Sequence, residues 1–298
     1  MRCGIVGYGY MGEIRRRVIE QNPHCLLTGV VTTKKTIGTA VKIFPSLEAL
    51  LAQGVDAIFV CTPNLYAPGL CIKSMQQGKH VFCEKPPGRT VADIQDIAKA
   101  EKENPGIKLM FGFNHRYHPA IIRAKEIVES GRLGTIINLR GVYGKSGGLH
   151  FRQSWRNNKE ISGGGILLDQ GIHMLDLFRY FCGDFETVKC CVSDSFWNFD
   201  VEDNAFVILQ NQKGQQASLH SSSTMWKHTF ELTIACTEGY MIVRGLLSKT
   251  GSYGRETLTV GMRQFEDVSR ALGNPAEEST TFDRDKSWEL EVQEFVRY

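Results

Sequence analysis

The sequence predicts an α/β protein with two domains, a doubly wound parallel sheet followed by an α+β domain with a mainly antiparallel sheet. Strand and helix patterns alternate over the first third of the 298 residues, whereas closely spaced strand patterns dominate the remainder. A glycine-rich turn also follows the first strand directly. These observations divide the chain into domains at residues 1–117 and 118–298.

The first domain is predicted from elements of alternating type. Its strands are expected at Arg2–Val6, Leu26–Val31, Ala57–Cys61, His80–Cys83 and Lys108–Phe113, and its helices at Gly12–Gln21, Ser46–Gln53, Tyr66–Gln77 and Thr90–Asn104. Such alternation is typical of a parallel sheet covered by helices, which binds ligands beyond the carboxyl ends of its strands. The stretch 32–45 has little helical periodicity, so the crossover helix there is predicted to be short or missing.

The second domain is predicted as a series of strands interrupted by one long helix. After a helix at Ala120–Glu129, turn residues such as Lys213-Gly214 separate the strand patterns. The strands are expected at Thr135–Tyr143, Thr187–Ser195, Asn204–Asn211, Gln216–Thr224, Phe230–Cys236, Tyr240–Arg244 and Glu256–Gly261, and the long helix at Leu168–Phe181.

The glycine-rich turn has the spacing Gly7-x-Gly9-x-x-Gly12, at the point where the first strand meets a helix. Gly7 permits the tight turn, Gly9 lets the backbone approach a pyrophosphate, and Gly12 lets the helix pack on the strand. The N–H groups of Tyr10 and Met11 would then point at the anion. This context favours a dinucleotide site of the Rossmann type over a glycine turn without a ligand.

Composition and charge limit the other function classes. The net charge is +3, and the basic block Arg15-Arg16-Arg17 is predicted to be a solvated surface of the first helix, so no nucleic-acid partner is expected. No apolar run approaches a membrane span, and no charged-then-apolar leader precedes the first strand. The nine cysteines form no Cys-x-x-Cys pair, which favours a reduced, cytoplasmic setting.

Polar side chains follow three of the predicted strands, at Thr62-Pro63-Asn64, Glu84-Lys85-Pro86 and Asn114-His115-Arg116. A lysine at a strand end beside a cofactor crevice can offer its ammonium group to a substrate oxygen. Prolines 86 and 87 would stiffen the turn and fix where Lys85 points. The alternative interpretation is an ordinary surface turn.

The long helix of the second domain carries Asp169-x-x-x-His173. Residues four apart share one helix face, so the carboxylate and the imidazole are expected to lie together. Histidine suits proton transfer near neutral pH, and a carboxylate can orient it or bind a substrate hydroxyl. The alternatives are a core histidine or half of a metal site; no third ligand is suggested by the spacing, so no metal is predicted.

Together these motifs resemble the glucose–fructose oxidoreductase/inositol dehydrogenase (Gfo/Idh/MocA) family over nearly the whole chain. The resemblance implies a nicotinamide-binding domain and a second domain whose open sheet supports substrate binding and subunit pairing, as a homodimer or homotetramer. It assigns Lys85 to the reacting hydroxyl, His173 to acid–base catalysis, and Asp169 to the substrate and to support of His173. The implied cofactor-binding residues are Gly7, Gly9, Tyr10, Met11, Gly12, Thr32, Thr33, Lys34, Thr62, Pro63, Asn64, Glu84 and Lys85.

The chain departs from the family pattern in three places. Tyr66 follows the Thr-Pro-Asn turn where such proteins often have histidine. The segment Val31–Lys35 lacks the acid that grips a ribose 2′-hydroxyl, and its hydroxyls and lysines suit a 2′-phosphate better, so NADP is favoured over NAD. Relatives usually continue beyond the position of Tyr298, with a tail that packs on the first domain.

Donor and aromatic side chains cluster in the stretch 145–156. Arginine with tryptophan suits a polyhydroxylated ligand, through forked hydrogen bonds and ring stacking. For any one of them the alternative is an aromatic ring packed beneath a loop, beside a surface arginine. The candidate substrate residues are Arg152, Trp155 and Arg156, with His150 in the same stretch, together with Asn114, Arg116 and Gln170 and, more weakly, Trp226-Lys227.

The sequence thus predicts an NAD(P)-dependent dehydrogenase that interconverts a secondary alcohol and a ketone on a sugar, cyclitol or nucleotide-linked sugar. Two alternatives stay open: a non-catalytic NAD(P)-binding sensor or scaffold of the same fold, and a reductase of an unsaturated or imine substrate. The presence of Lys85, Asp169 and His173 argues against the first, and a lysine suited to an alcohol argues against the second.

Overall fold

The computed structural model describes residues 1–38, 40–148, 151–265 and 274–297. The chain forms two compact units that are interleaved along the sequence. Unit one comprises Met1–Asn114, Trp155–Gly164 and Trp288–Tyr298, and unit two comprises His115–Ser154 and Gly165–Ser287. The division of functional domains after residue 117 stays a prediction, and His150 and Tyr298 lie outside the described residues.

Unit one is built on a six-stranded parallel sheet. Its elements, numbered in the order of the whole chain, are β1 Arg2–Val6, α1 Tyr10–Gln21, β2 Leu26–Val31, β3 Ile43–Phe44, α2 Leu47–Leu51, β4 Ala57–Val60, α3 Ala67–Gln76, β5 His80–Glu84, α4 Val91–Glu103, β6 Leu109–Gly112, α6 Lys159–Ser162 and α8 Ser287–Val296. The strand order is β3-β2-β1-β4-β5-β6. The chain moves outward from β1 in both directions, so β1 and β4 flank a switch point at which the carboxyl ends of the strands leave room for a ligand. This confirms the predicted doubly wound sheet.

Local sequence explains where these elements begin and what they bury. Strand β4 is an uninterrupted apolar run and is buried throughout, as a strand covered on both faces requires. The Ser46 hydroxyl accepts a hydrogen bond from the N–H of Ala49 and caps α2. Thr90 and Asp93 form a reciprocal capping box at the start of α4.

The described residues between β2 and β3, 32–38 and 40–42, form no helix, which agrees with the prediction of a short or missing crossover helix. Strand β3 has only two residues. The chain before β3 passes close to β2, because a Cβ added to Gly29 would lie 2.6 Å from the carbonyl oxygen of Lys42.

Unit two is built on an eight-stranded sheet and two helices. Its elements are α5 Pro119–Glu129, β7 Ile136–Gly144, α7 Ile172–Cys182, β8 Thr187–Ser193, β9 Asn204–Gln210, β10 Gln216–Ser222, β11 Thr229–Cys236, β12 Gly239–Arg244, β13 Glu256–Met262 and β14 Glu277–Phe282. The strand order is β14-β13-β12-β11-β7-β10-β9-β8. All neighbours are antiparallel except β7 and β10, which confirms a mainly antiparallel sheet.

One face of this sheet holds the core of unit two. Helices α5 and α7 place Ile121 and Phe178 against strand residues such as Leu232 and Ile234, all fully buried. Strand β14 was not predicted because its sequence is polar and its side chains are almost all exposed, so no alternation of apolar residues marks it.

Two further findings concern the described residues. No helix among them is long and apolar enough to cross a bilayer. All nine cysteines of the chain have free thiols.

Candidate active site

The glycine turn of unit one has the geometry of a dinucleotide cradle. Gly7 has φ +95°, which L side chains rarely adopt, and a Cβ there would lie 2.5 Å from the carbonyl oxygen of Cys61. A Cβ on Gly12 would lie 2.3 Å from the Gly7 carbonyl oxygen. At Gly9, by contrast, an added Cβ meets nothing within 4 Å. The first close approach holds the glycine turn against the turn after β4, and the second holds α1 against the turn after β1. The open position at the start of α1 fits a diphosphate.

The turn after β4 adds a second feature that fits a cofactor. It is joined to the glycine turn because the N–H of Cys61 donates to Val6 at 2.7 Å. The Thr62 hydroxyl is buried and has no hydrogen-bond partner among the described residues. A buried polar atom of this kind needs a partner, which a bound nicotinamide nucleotide could supply. The Asn64 amide donates to the carbonyl of Ser162 at 2.7 Å, so this side chain joins the turn after β4 to a second segment of unit one.

The predicted phosphate-discriminating residues lie at the end of β2. The N–H of Lys34 donates to the Thr32 hydroxyl at 3.2 Å, which closes a small turn. Thr33 and Lys34 are exposed. The turn thus presents a hydroxyl and an ammonium group to solvent, and the choice between NAD and NADP stays a prediction.

Lys85 lies at the carboxyl end of β5 and is half-buried, with Pro86 and Pro87 buried after it. The preceding Glu84 had been predicted to contact the cofactor. Its carboxylate instead accepts a hydrogen bond from Nε of Arg15 at 2.6 Å, and the second residue bound to Arg15 is Glu291 of α8, also at 2.6 Å. The side chain of Glu84 is therefore occupied within the protein.

The prediction that Arg15 belongs to a solvated surface is wrong. Its side chain is wholly buried, and its guanidinium group lies 4.3 Å from the ring centre of Phe82 and 4.9 Å from that of Trp288. Burial alone would lower the pKa of Arg15, but the carboxylates of Glu291 and Glu84 outweigh it and raise the pKa. Sequence spacing alone could not predict the two ion pairs, because Glu84 and Glu291 lie far from Arg15 along the chain.

Residues 155–164 return to unit one and brace the turns beside Lys85. The N–H of Leu65 donates to Ile161 at 3.1 Å, and the Arg89 guanidinium group donates to the Glu160 carbonyl at 2.7 Å. Trp155 and Arg156 belong to this segment, with the Arg156 guanidinium group 4.6 Å from the Trp155 ring centre.

In unit two, His173 lies in the first turn of α7 and is buried. Its ring stacks on that of His115, with centroids 3.7 Å apart and an interplanar angle of 16°. Nε2 of His115 is 2.9 Å from the hydroxyl of Tyr143, whose pKa is raised well above its usual value by burial. The phenol therefore stays protonated and can donate to a neutral His115.

A second buried pair supports this stack. His118 contacts His115 edge to face and lies 2.7 Å from a carboxylate oxygen of Glu256. Glu256 also accepts from the N–H of Ala120 and of Leu247, at 2.8 and 3.1 Å. His115, His118 and Tyr143 were not among the predicted site residues. The signal that could have found them was their position beside strand ends, and His115 belongs to the motif Asn114-His115-Arg116.

Asp169 has a partner, Lys145, that was not predicted from the sequence. Its carboxylate lies 2.6 Å from the ammonium group of Lys145 and accepts from the Gln170 amide at 3.1 Å. Lys145 directly follows β7, so it is a lysine at a strand end, as Lys85 is. Asp169 lies in a π-helical turn, Leu167–Gly171, rather than in the α-helix assumed from the spacing.

Two predicted substrate residues make polar contacts within unit two. Arg116 makes a forked ion pair with Asp176, at 2.7 and 2.5 Å. Burial raises the pKa of Asp176, and Arg116 partly offsets that effect. Arg152 donates to the carbonyl of Trp197 at 3.1 Å. Arg152 therefore belongs to unit two, whereas Trp155 belongs to unit one.

The predicted site residues thus fall into two groups, one in each unit. Unit one gathers the glycine turn, Thr62 and Lys85 at the carboxyl ends of β1, β4 and β5, with Asn114 buried just beyond β6. Unit two gathers Asp169, Gln170 and His173 around the end of β7. No cluster of three or more histidine, cysteine or acidic side chains suited to a metal ion occurs in the described parts of the chain.

Comparison with known proteins assigns the family. Residues 1–113 match the oxidoreductase family with an NAD-binding Rossmann fold, and residues 121–242 match the GFO/IDH/MocA C-terminal domain. The chain belongs to the Gfo/Idh/MocA oxidoreductase family. Both matches lie in the order that the sequence motifs predicted.

Individual relatives act on sugars. Levoglucosan dehydrogenase of Pseudarthrobacter phenanthrenivorans is 35% identical over 214 residues, 65% of this chain and 54% of that protein, so the match spans about half of the relative. The 2,7-anhydro-N-acetylneuraminate hydratase of Escherichia coli is 29% identical over 92% of this chain and 77% of its own. The structure of a levoglucosan dehydrogenase in complex with NADH has the same fold, with a TM-score of 0.85 at 20% identity, over 100% of this chain and 89% of that one.

Proposed function

We propose that this chain is an NAD(P)-dependent dehydrogenase that interconverts a secondary alcohol and a ketone on a sugar, cyclitol or nucleotide-linked sugar. One observation carries the proposal: each unit retains the group that the reaction needs from it. Unit one has Lys85 at the carboxyl end of β5, on the same edge of the sheet as the open glycine turn, and unit two has the buried His173. The family assignment and the sugar-acting relatives support the same reaction.

A bound nicotinamide would accept hydride from the substrate carbon, or donate it in the reverse direction. Lys85 would hydrogen-bond the substrate oxygen and stabilise its developing charge. His173 would take up the hydroxyl proton and return it in reduction. Two protonated imidazoles 3.7 Å apart would repel each other, so His115 must stay neutral for His173 to carry that proton. The Asp169–Lys145 pair would orient the substrate hydroxyls beside it.

The cofactor preference is proposed from the end of β2. Thr32, Thr33 and Lys34 offer hydroxyl and ammonium groups, and the sequence from 31 to 35 contains no carboxylate. This composition favours a 2′-phosphate and so NADP over NAD. Nine free thiols support a reducing, cytoplasmic setting.

A screen of secondary-alcohol substrates tests the proposed activity. Purified protein is mixed with NAD⁺ or NADP⁺ and with monosaccharides, anhydrosugars, inositols and nucleotide-linked sugars, and reduced nicotinamide is followed by absorbance. At least one substrate is expected to be oxidised, faster with NADP⁺. Product analysis by NMR accompanies the absorbance, because one relative is named a hydratase and need not change the redox state. Tight cofactor binding without conversion of any substrate would favour the sensor alternative.

The outer face of the unit-two sheet supports the proposed homo-oligomer. Helices α5 and α7 cover the opposite face, whereas Phe206 and Ile208 of β9 are 56% and 58% exposed. The Phe206 ring stacks on His220 of β10, with centroids 3.9 Å apart. An apolar patch of this kind on a sheet face suits pairing with a second copy of the chain.

Replacing Ile208 by glutamate is expected to shift the protein to a smaller assembly, because it places a charge inside an apolar contact. Light scattering coupled to size-exclusion chromatography measures the mass. Val91→Glu is the matched control, since Val91 is also an exposed aliphatic side chain but lies on α4 of unit one. An unchanged mass in Ile208→Glu would remove this face from the interface.

A further inference from the structure

Two exposed aromatic side chains stand together at one end of the unit-two sheet. Trp226, in the β10–β11 turn, is 58% exposed, and Phe196, in the β8–β9 loop, is 51% exposed. Their rings meet edge to face with centroids 4.8 Å apart. Both rest on Trp197, which is buried and donates through Nε1 to the carbonyl of Ser223 at 3.2 Å. We call Trp226 and Phe196 the aromatic platform.

The turn that carries Trp226 has a strained backbone. Trp226 has φ +54° and Asn198 has φ +52°, and among the described residues these are the non-glycine residues with positive φ. Asparagine adopts this left-handed conformation readily, whereas a bulky residue such as tryptophan rarely does. Such strain persists where the surrounding structure holds it and is concentrated at ligand sites. The β10–β11 turn thus holds the Trp226 ring in place against a local conformational cost.

A buried carboxylate fixes the platform from beneath. Asp203 is buried and accepts hydrogen bonds from the N–H groups of Ser195, Phe196 and Trp197, at 2.9, 2.8 and 3.1 Å. Its own carbonyl accepts from the N–H of Ser223 at 2.9 Å, so one residue anchors both loops. The rings are therefore pre-positioned, which lowers the entropy cost of binding a ligand.

The platform adjoins the strand end that carries site residues. Met225, next to Trp226, packs on Gly144: a Cβ there would lie 2.2 Å from the Met225 sulfur. Gly144 lies between Tyr143, which contacts His115, and Lys145, which contacts Asp169. The N–H of Lys145 also donates to Ser222 at 2.8 Å, at the base of the platform loop.

We propose that the aromatic platform is an outer sugar subsite that binds the second pyranose ring of a glycoside or disaccharide. The proposal rests on the proposed function, because it places this ring next to the one that reacts. The C–H face of a pyranose carries partial positive charge and is attracted to the negative face of an aromatic ring. The exposed Lys227 beside Trp226 can donate to the hydroxyls at the rim of such a ring.

Binding of matched sugar pairs tests the subsite independently of turnover. NADPH-saturated protein is titrated with D-glucose and with cellobiose, maltose and gentiobiose, and with D-galactose and melibiose, by isothermal calorimetry. At least one disaccharide is expected to bind about 5- to 10-fold more tightly than its monosaccharide. Trp226→Ala is expected to abolish that preference, and Trp226→Phe to restore part of it.

Phe265→Ala is the matched control, because Phe265 is a strongly exposed aromatic residue elsewhere in unit two and should leave the preference unchanged. Equal affinity for every disaccharide and its monosaccharide would overturn the subsite, as would a Trp226→Ala variant that keeps the preference. A change of molecular mass in Trp226→Ala without a change in sugar affinity would make the platform a contact between copies instead. A disaccharide preference without turnover would support the subsite while refuting the dehydrogenase proposal, so the two failures are distinguishable.

Discussion

Replacing Lys85 by methionine is expected to lower kcat about 10²–10⁴-fold, and replacing His173 by alanine should do the same. Methionine keeps most of the volume of Lys85 but removes the ammonium group that would stabilise the substrate oxygen. Alanine at residue 173 removes the proton acceptor while the helix around it is retained. Cofactor affinity should be largely kept in both variants, because the glycine turn and Thr62 are untouched.

Steady-state kinetics with the substrate found by the screen, and NADPH fluorescence titration, measure both quantities. Lys99→Met and His24→Ala are controls, since both residues are exposed in unit one away from the glycine turn. If the two groups act in one chemical step, the double variant should lose little more than the worse single variant. Wild-type turnover in Lys85→Met and in His173→Ala would remove these roles. Losses that simply multiply would mean that the two residues act in separate steps.

The second large effect is expected at Arg15. Substitution by methionine should lower the free energy of unfolding by about 3–5 kcal/mol, because it leaves the buried carboxylates of Glu84 and Glu291 without their cation. The loss would also loosen the turn that carries Lys85, since Glu84 immediately precedes it. Urea titration followed by circular dichroism measures the change.

Arg17→Met on the same helix is the control, and its half-exposed pair with Glu13 should be worth no more than about 0.5 kcal/mol. Adding Glu291→Met to Arg15→Met should recover part of the stability, because an apolar pair replaces a buried charge. If Arg15→Met unfolds at the wild-type urea concentration, the three charges do not stabilise unit one.

Sequence patterns predicted five of the six strands of the parallel sheet with bounds within one residue of those observed, and missed β3, which has only two residues. Strands β1 and β2 have the predicted bounds, Arg2–Val6 and Leu26–Val31, because each is a short, mainly apolar run. The helix starts at Ser46 and Thr90 were also predicted, since a capping hydroxyl accepts a hydrogen bond from a backbone N–H in the first turn of its own helix. Signals of this kind are local and need no knowledge of distant residues.

The wrong or missing predictions all concern contacts between residues that lie far apart in the sequence. Arg15 looked like one of three surface arginines, but Glu84 and Glu291 come to it from 69 and 276 residues away. Lys145 pairs with Asp169 across 24 residues, and the stack of His115 on His173 joins a short helical turn to α7. Spacing rules within one helix could not find these partners, because each is supplied by another element.

The sequence by itself determined the fold class, the dinucleotide turn and the set of candidate reactive side chains, since each depends on residue type and on neighbours a few positions away. Only the tertiary structure decided which charges are buried, that residues 155–164 return to unit one, and that Asp203 holds Trp226 and Phe196 outward. These contacts join residues that are far apart in the sequence and form only when the elements pack. The partners of a carboxylate or an aromatic ring therefore depend on which distant segment lies beside it in the folded protein.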